Sequence, residues 1–152
     1  MTRTLIAGFG NVLRGDDGFG VEVIHRLEAR PAEGVELIEI GTAGLMLAQQ
    51  LLTGYDRLIV VDAMTRGGKP GTLYVHRVES VEKATEVDLH LAVPSRALSV
   101  AQALGALPQE VFLVGCEPLE VEELSTQLSP AVRDAVDAAL REIQLLLLPR
   151  AA

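Results

Sequence analysis

The sequence predicts an α/β sandwich, and two observations carry that expectation. Short β-rich runs alternate with helix-period stretches along the chain. The strongest run, Arg57–Val61 (RLIVV), takes four apolar residues straight into Asp62. Such a continuous run suits a strand covered by helices on both faces. With 152 residues the chain is expected to form a single domain, residues 1–152, with room for a proper core.

The elements follow in order. Thr4–Ala7 (TLIA) is an apolar run ending in glycine, as a buried strand would read. Gly18–Arg30 carries Val21, Ile24 and Leu27 or Glu28 at helical spacing. Val35–Ile40 (VELIEI) alternates apolar and acidic residues and is expected at a sheet edge. The GTAG at Gly41–Gly44 predicts a tight turn, and Leu45–Leu52 a helix stopped by Thr53-Gly54. Thr72–Arg77 (TLYVHR) is a strand reached through GGKPG, a connection too short for a crossover helix, so it should run antiparallel to its predecessor. Pro94–Leu104 reads as a helix with proline in its first turn, and Val111–Val114 (VFLV) as the last strand. Ser129-Pro130 supplies an N-cap and a first helical residue. Behind it Val132, Val136, Ala139, Leu140 and Ile143 share one face.

Composition narrows the function classes. The chain is 49% hydrophobic but 3% aromatic, with no Trp, so the core must be aliphatic. A net charge of −8 disfavours nucleic acid as a partner, because that binding relies on Lys and Arg neutralising phosphates. The single cysteine, Cys116, leaves no internal disulfide and suits a reducing cytoplasm. No apolar run is long enough for a transmembrane helix, and the one in MTRTLIAGFGN is too short for a signal peptide. The expectation is a soluble cytoplasmic protein without membrane or nucleic-acid partners.

Three kinds of chemistry compete for the glycine-rich stretch Gly8–Gly20 (GFGNVLRGDDGFG) and its surroundings. Dinucleotide binding would use the strand, the GxG and the helix, but the third glycine is replaced by Leu13, and paired aspartates would face a pyrophosphate. A metal site draws on side chains at strand ends: Asp16 and Asp17 after the first strand, Asp62 after the central one, and His90 ahead of a helix. Two carboxylates and an imidazole suit Zn²⁺ or Ni²⁺. Each also has a plain structural reading. Asp17 could cap the helix beginning at Gly18, Asp62 could hold a turn, and His90 could sit in a surface loop. His25 and His76 read as surface residues. For nucleophilic catalysis GxSxG is absent. Cys116 remains, either as a thiol paired with His90 or as a small buried residue.

Taken in order, GFGNVLRGDDGFG, GTAG, LIVVDAM and VGCEP…LSP resemble the hydrogenase maturation endopeptidases. These enzymes trim a C-terminal extension from the large subunit of [NiFe] hydrogenases. The resemblance implies a three-layer α/β/α sandwich around a five-stranded mixed, mostly parallel sheet. It also implies three residues, Asp17, Asp62 and His90, that bind metal and serve catalysis, with Asp16 capping or orienting its neighbour. Asp17 corresponds as the second of the acidic pair, Asp62 as the end of the third strand, and His90 by counting back from Pro108. Where relatives often read SxHxxGL around that histidine, this chain reads VDLHLAVPS. The implied partner is a large-subunit precursor whose own nickel is the recognition element, with Zn²⁺ or another divalent ion able to substitute in vitro. The alternatives are a metal-dependent hydrolase of small peptides and a non-enzymatic metal- or nucleotide-binding module.

Overall fold

The structure, a computed structural model, describes residues 2–41, 44–79 and 92–149. In chain order these form β1 (Thr4–Phe9), a short 3-10 turn (Gly15–Gly18), α1 (Phe19–Glu28), β2 (Val35–Gly41) and α2 (Leu45–Leu51). There follow β3 (Arg57–Ala63), β4 (Leu73–Arg77), α3 (Ala92–Ala103), β5 (Glu110–Cys116) and α4 (Pro130–Leu147). The strands make one five-stranded sheet in the order β2-β1-β3-β5-β4. Every neighbouring pair is parallel except β4 with β5.

Side chains alternate across a strand, and that alternation sorts the core into two halves. Leu5, Ala7, Leu58, Val60 and Leu113 face one way, onto Leu47 and Leu51 of α2 and Ala97 and Ala101 of α3. Ile6, Ile59, Val61 and Val114 face the other way, onto Phe19, Val23 and Ile24 of α1 and Val132, Val136 and Ile143 of α4. The result is the α/β/α sandwich with a mixed, mostly parallel sheet that the sequence and the resemblance implied. VELIEI lies at the sheet edge as β2, with Val35 and Leu37 packed on one half of the core, Ile38 and Ile40 on the other, and Glu36 and Glu39 exposed. β4 runs against its predecessor as expected, but the two do not pair. β5 is inserted between them, with Leu73 opposite Cys116 and Arg77 opposite Phe112. A short connection fixes the direction of a strand without fixing its neighbour.

Topology also fixes where a ligand would sit. From β1 the chain passes through α1 to β2 on one side, then returns through α2 to β3 on the other. The order therefore reverses between β1 and β3, and the loops leaving their carboxyl ends part there to form a crevice. The first turn of α1 is drawn tightly onto this point. A Cβ at Gly20 would lie 2.4 Å from the carbonyl oxygens of both Phe9 and Val61, so only glycine allows the approach.

Candidate active site

Just past β1 the backbone turns at Gly10 with φ 126°, a conformation that disfavours other residues. A Cβ on Gly10 would stand 1.9 Å from the backbone oxygen of Asp17 and 3.7 Å from Oδ1 of Asp62. Gly10 is thus a bare floor on which the β1–α1 loop and the end of β3 converge. The Asn11 N–H donates to Asp17 Oδ2 at 2.8 Å, and the Leu13 N–H donates to Asn11 Oδ1 at 2.9 Å. These bonds hold the half-buried Asp17 carboxylate against the loop it closes. Asp62 is buried at the end of β3, where its Oδ1 accepts the Ala63 N–H at 2.9 Å. Beside the floor lies an open cleft of ≈ 370 Å³ lined by Gly10, Asn11, Val12, Val21, Glu39, Ile40 and Gly41. Glu39 at its margin pairs with His25 of α1.

Asp17 does not cap α1, whose N-cap is Gly18 without a side-chain bond. Asp16 does not serve its neighbour either. It is buried, and its Oδ2 accepts the N–H groups of Leu119 and Glu120 at 2.8 and 3.2 Å and the Ser129 hydroxyl at 2.8 Å. Its Oδ1 accepts the Ser129 N–H at 2.7 Å. Ser129 occupies the N-cap position of α4 with Pro130 following, but its hydroxyl goes to Asp16 and makes no cap bond. The carboxylate therefore fastens the β5–α4 segment, 117–129, to the β1–α1 loop.

Asp17 and Asp62 are brought to one place; His90 lies outside the described residues, as do Thr42 and Ala43 of the GTAG turn. Among the described residues no group of three or more His, Cys, Asp or Glu side chains is arranged to hold a metal ion. His76 stands on β4 beside Arg66, 2.8 Å from its guanidinium. Burial first, then that cation, hold its imidazole below the usual histidine range. Cys116 is the small buried residue and not the nucleophile. Burial, with Asp16 and Glu117 nearby, pushes its thiol up to about 12, far from the thiolate a nucleophile needs.

Sequence reasoning passed over Glu117. Buried directly after β5, its Oε1 accepts the N–H groups of Arg66 and Gly68 at 2.8 and 2.9 Å and the Tyr74 hydroxyl at 2.7 Å. It anchors the connection between β3 and β4, and the hydrogen bond in turn raises the Tyr74 phenol. The one signal was a charge set immediately behind the apolar VFLVGC run.

A family model described as HycI, hydrogenase maturation protease, matches residues 21–145. The chain belongs to the hydrogenase maturation protease family. The endopeptidase is 37% identical over 139 residues to the hydrogenase expression/formation protein HupD of Bradyrhizobium diazoefficiens, covering 88% of this chain and 72% of that one. It is 31% identical over 146 residues to the hydrogenase 2 maturation protease of Escherichia coli, covering 93% and 88%. Among solved structures, the hydrogenase maturating endopeptidase HybD from E. coli superimposes with a TM-score of 0.84 at 31% identity, over 95% of this chain and 91% of that one. The [NiFe] hydrogenase maturation protease HybD from Thermococcus kodakarensis gives 0.80 at 25% identity, over 96% and 99%. The family match takes in Asp62 and His90 and begins downstream of Asp17.

Proposed function

We propose that this endopeptidase removes the C-terminal extension of a [NiFe] hydrogenase large-subunit precursor and recognises the nickel already seated in that substrate. The observation that carries the reading is the meeting of the β1–α1 loop with the end of β3 at the bare Gly10, where the Asp17 backbone oxygen and Asp62 Oδ1 flank the position a Cβ would take and the neighbouring Asn11 N–H holds the Asp17 carboxylate. Oxygen donors beside a position without a side chain give a site that a metal held by another protein can approach. His90 is the third donor in this reading, and an imidazole with two carboxylates suits a borderline ion such as Ni²⁺. Zn²⁺ or another divalent ion would occupy the same donors in vitro.

The nickel belongs to the substrate, and the enzyme's own residues inspect it. With the precursor seated, one carboxylate of the pair would take a proton from the attacking water and pass it to the departing amine nitrogen, while the substrate's cation would supply polarisation of the carbonyl being cleaved. The protein acts in the cytoplasm, where precursor and enzyme meet without a membrane. Among the described residues no helix is long and apolar enough to cross one.

The test is to incubate the protein with extended precursor, nickel-loaded or nickel-free, and follow loss of the tail by mass spectrometry. The loaded form should be trimmed and the empty form left intact. Equal cleavage of both would remove nickel recognition. Turnover of short peptides with added Zn²⁺, and of no folded precursor, would replace the reading with a small-peptide hydrolase.

A further inference from the structure

Four apolar side chains stand exposed where two loops meet: Val12 (45%), Leu13 (55%), Leu119 (63%) and Leu124 (83%). The loops that carry them are laced together by backbone. The Ser125 N–H donates to Leu13 O at 2.9 Å, the Gly15 N–H to Ser125 O at 2.8 Å, and the Asp16 N–H to Glu120 O at 2.9 Å. Asp16 locks the same junction from beneath through Leu119, Glu120 and Ser129. The apolar groups therefore sit on a fixed ridge, which spares a partner much of the ordering cost of binding. Apolar exposure gathered on two loops joined in this way points to an interaction surface.

We propose that this ridge docks the folded body of the precursor, on an apolar patch bordered by Lys and Arg. The inference rests on the reading that the substrate is a precursor protein. Position supports it, since the ridge begins one residue after Asn11, whose N–H holds Asp17. Whatever sits on the ridge is delivered beside the two aspartates. Charge chooses the occupant. Exposed Glu120, Glu122 and Glu123 border the ridge against one exposed base, Arg14, in a chain of net charge −8. A second copy would bring the same acidic border against itself, whereas a base-bordered surface is attracted.

The experiment measures precursor binding and steady-state trimming by the full chain carrying Leu13→Ser with Leu124→Ser. Leu52→Ser is the control, exposed at the far end of the sheet where β3 begins. The double variant should bind about tenfold more weakly and show a matching rise in KM, with kcat within about twofold of wild type. It should keep the wild-type thermal midpoint, and Leu52→Ser should behave as wild type throughout. Wild-type affinity and KM in the double variant, with trimming intact, would overturn the ridge and leave the proposed function standing. Ridge-dependent binding without any trimming would do the reverse. A wild-type protein that neither binds nor trims overturns both. Self-association that vanishes in the double variant would give the ridge to a second copy and overturn the assignment.

Discussion

Asp16 and Asp17 are adjacent in one turn, yet their carboxylates live in opposite circumstances. Asp16 is buried and accepts four hydrogen bonds, all from the segment that leads into α4. Asp17 is half-buried and, among the described residues, accepts one, from Asn11. A carboxylate taken out of water is costly unless its oxygens are satisfied, and four donors make Asp16 an architectural residue. Glu117 belongs to the same class, buried with donors from Arg66, Gly68 and Tyr74. Asp17 commits one carboxylate oxygen to Asn11, and its backbone oxygen abuts the Gly10 floor that Asp62 Oδ1 also borders. The comparison teaches that saturation, more than position in a motif, marks out the acids that hold loops.

The sharpest way to break this contrast is to remove charge while keeping shape at the proposed site. Asp17→Asn and Asp62→Asn should each lower precursor trimming by about a hundredfold or more, the scale of a lost acid–base group, while thermal midpoints move little. Wild-type trimming rates in both, read by mass spectrometry, would take them out of the site. Stability gives the next largest effect. Asp16→Ala leaves several buried donors without an acceptor and should cost about 3 kcal/mol in urea unfolding, with Glu117→Ala close behind at about 2 kcal/mol. If Asp17→Ala cost as much as Asp16→Ala, the distinction between the two aspartates would collapse.

The smallest effect concerns Cys116, and its sign follows from linkage. The folded thiol is raised from 9.0 to about 12, so the fold favours the protonated form. That contribution is complete below pH 9 and is lost as the pH climbs toward 12. Cys116→Ala should therefore flatten the alkaline limb of the stability curve relative to wild type, with no change below pH 9. Trimming by this variant should persist at neutral pH, because a buried protonated thiol takes no part in it. Loss of trimming in a folded Cys116→Ala protein would restore a nucleophilic thiol.

Much of the fold was legible because period and punctuation are local properties. RLIVV, TLIA and VELIEI announced two buried strands and an edge, and Ser129-Pro130 marked the start of α4. The pairing of β4 with β5 was not legible, since the strand inserted between β3 and β4 arrives later in the chain. Asp17 and Asp62 were singled out by their places after β1 and at the end of β3, and both lie at the crevice between those strands. The work of Asp16 was hidden because its donors lie 103 to 113 residues downstream, a separation no motif spans. Glu117 was hidden in the same way, with donors 43 to 51 residues upstream.

Asp16 has a consequence for what the chain would require of its redox surroundings. A small protein often secures a distant loop with a disulfide, and this chain has a single thiol, buried in the core. The carboxylate of Asp16 joins the beginning of the chain to the approach of its last helix, the kind of long closure that gains most from a cross-link. It does so with hydrogen bonds alone. The clasp is indifferent to reductant, forms without an oxidant, and opens and closes with the fold itself.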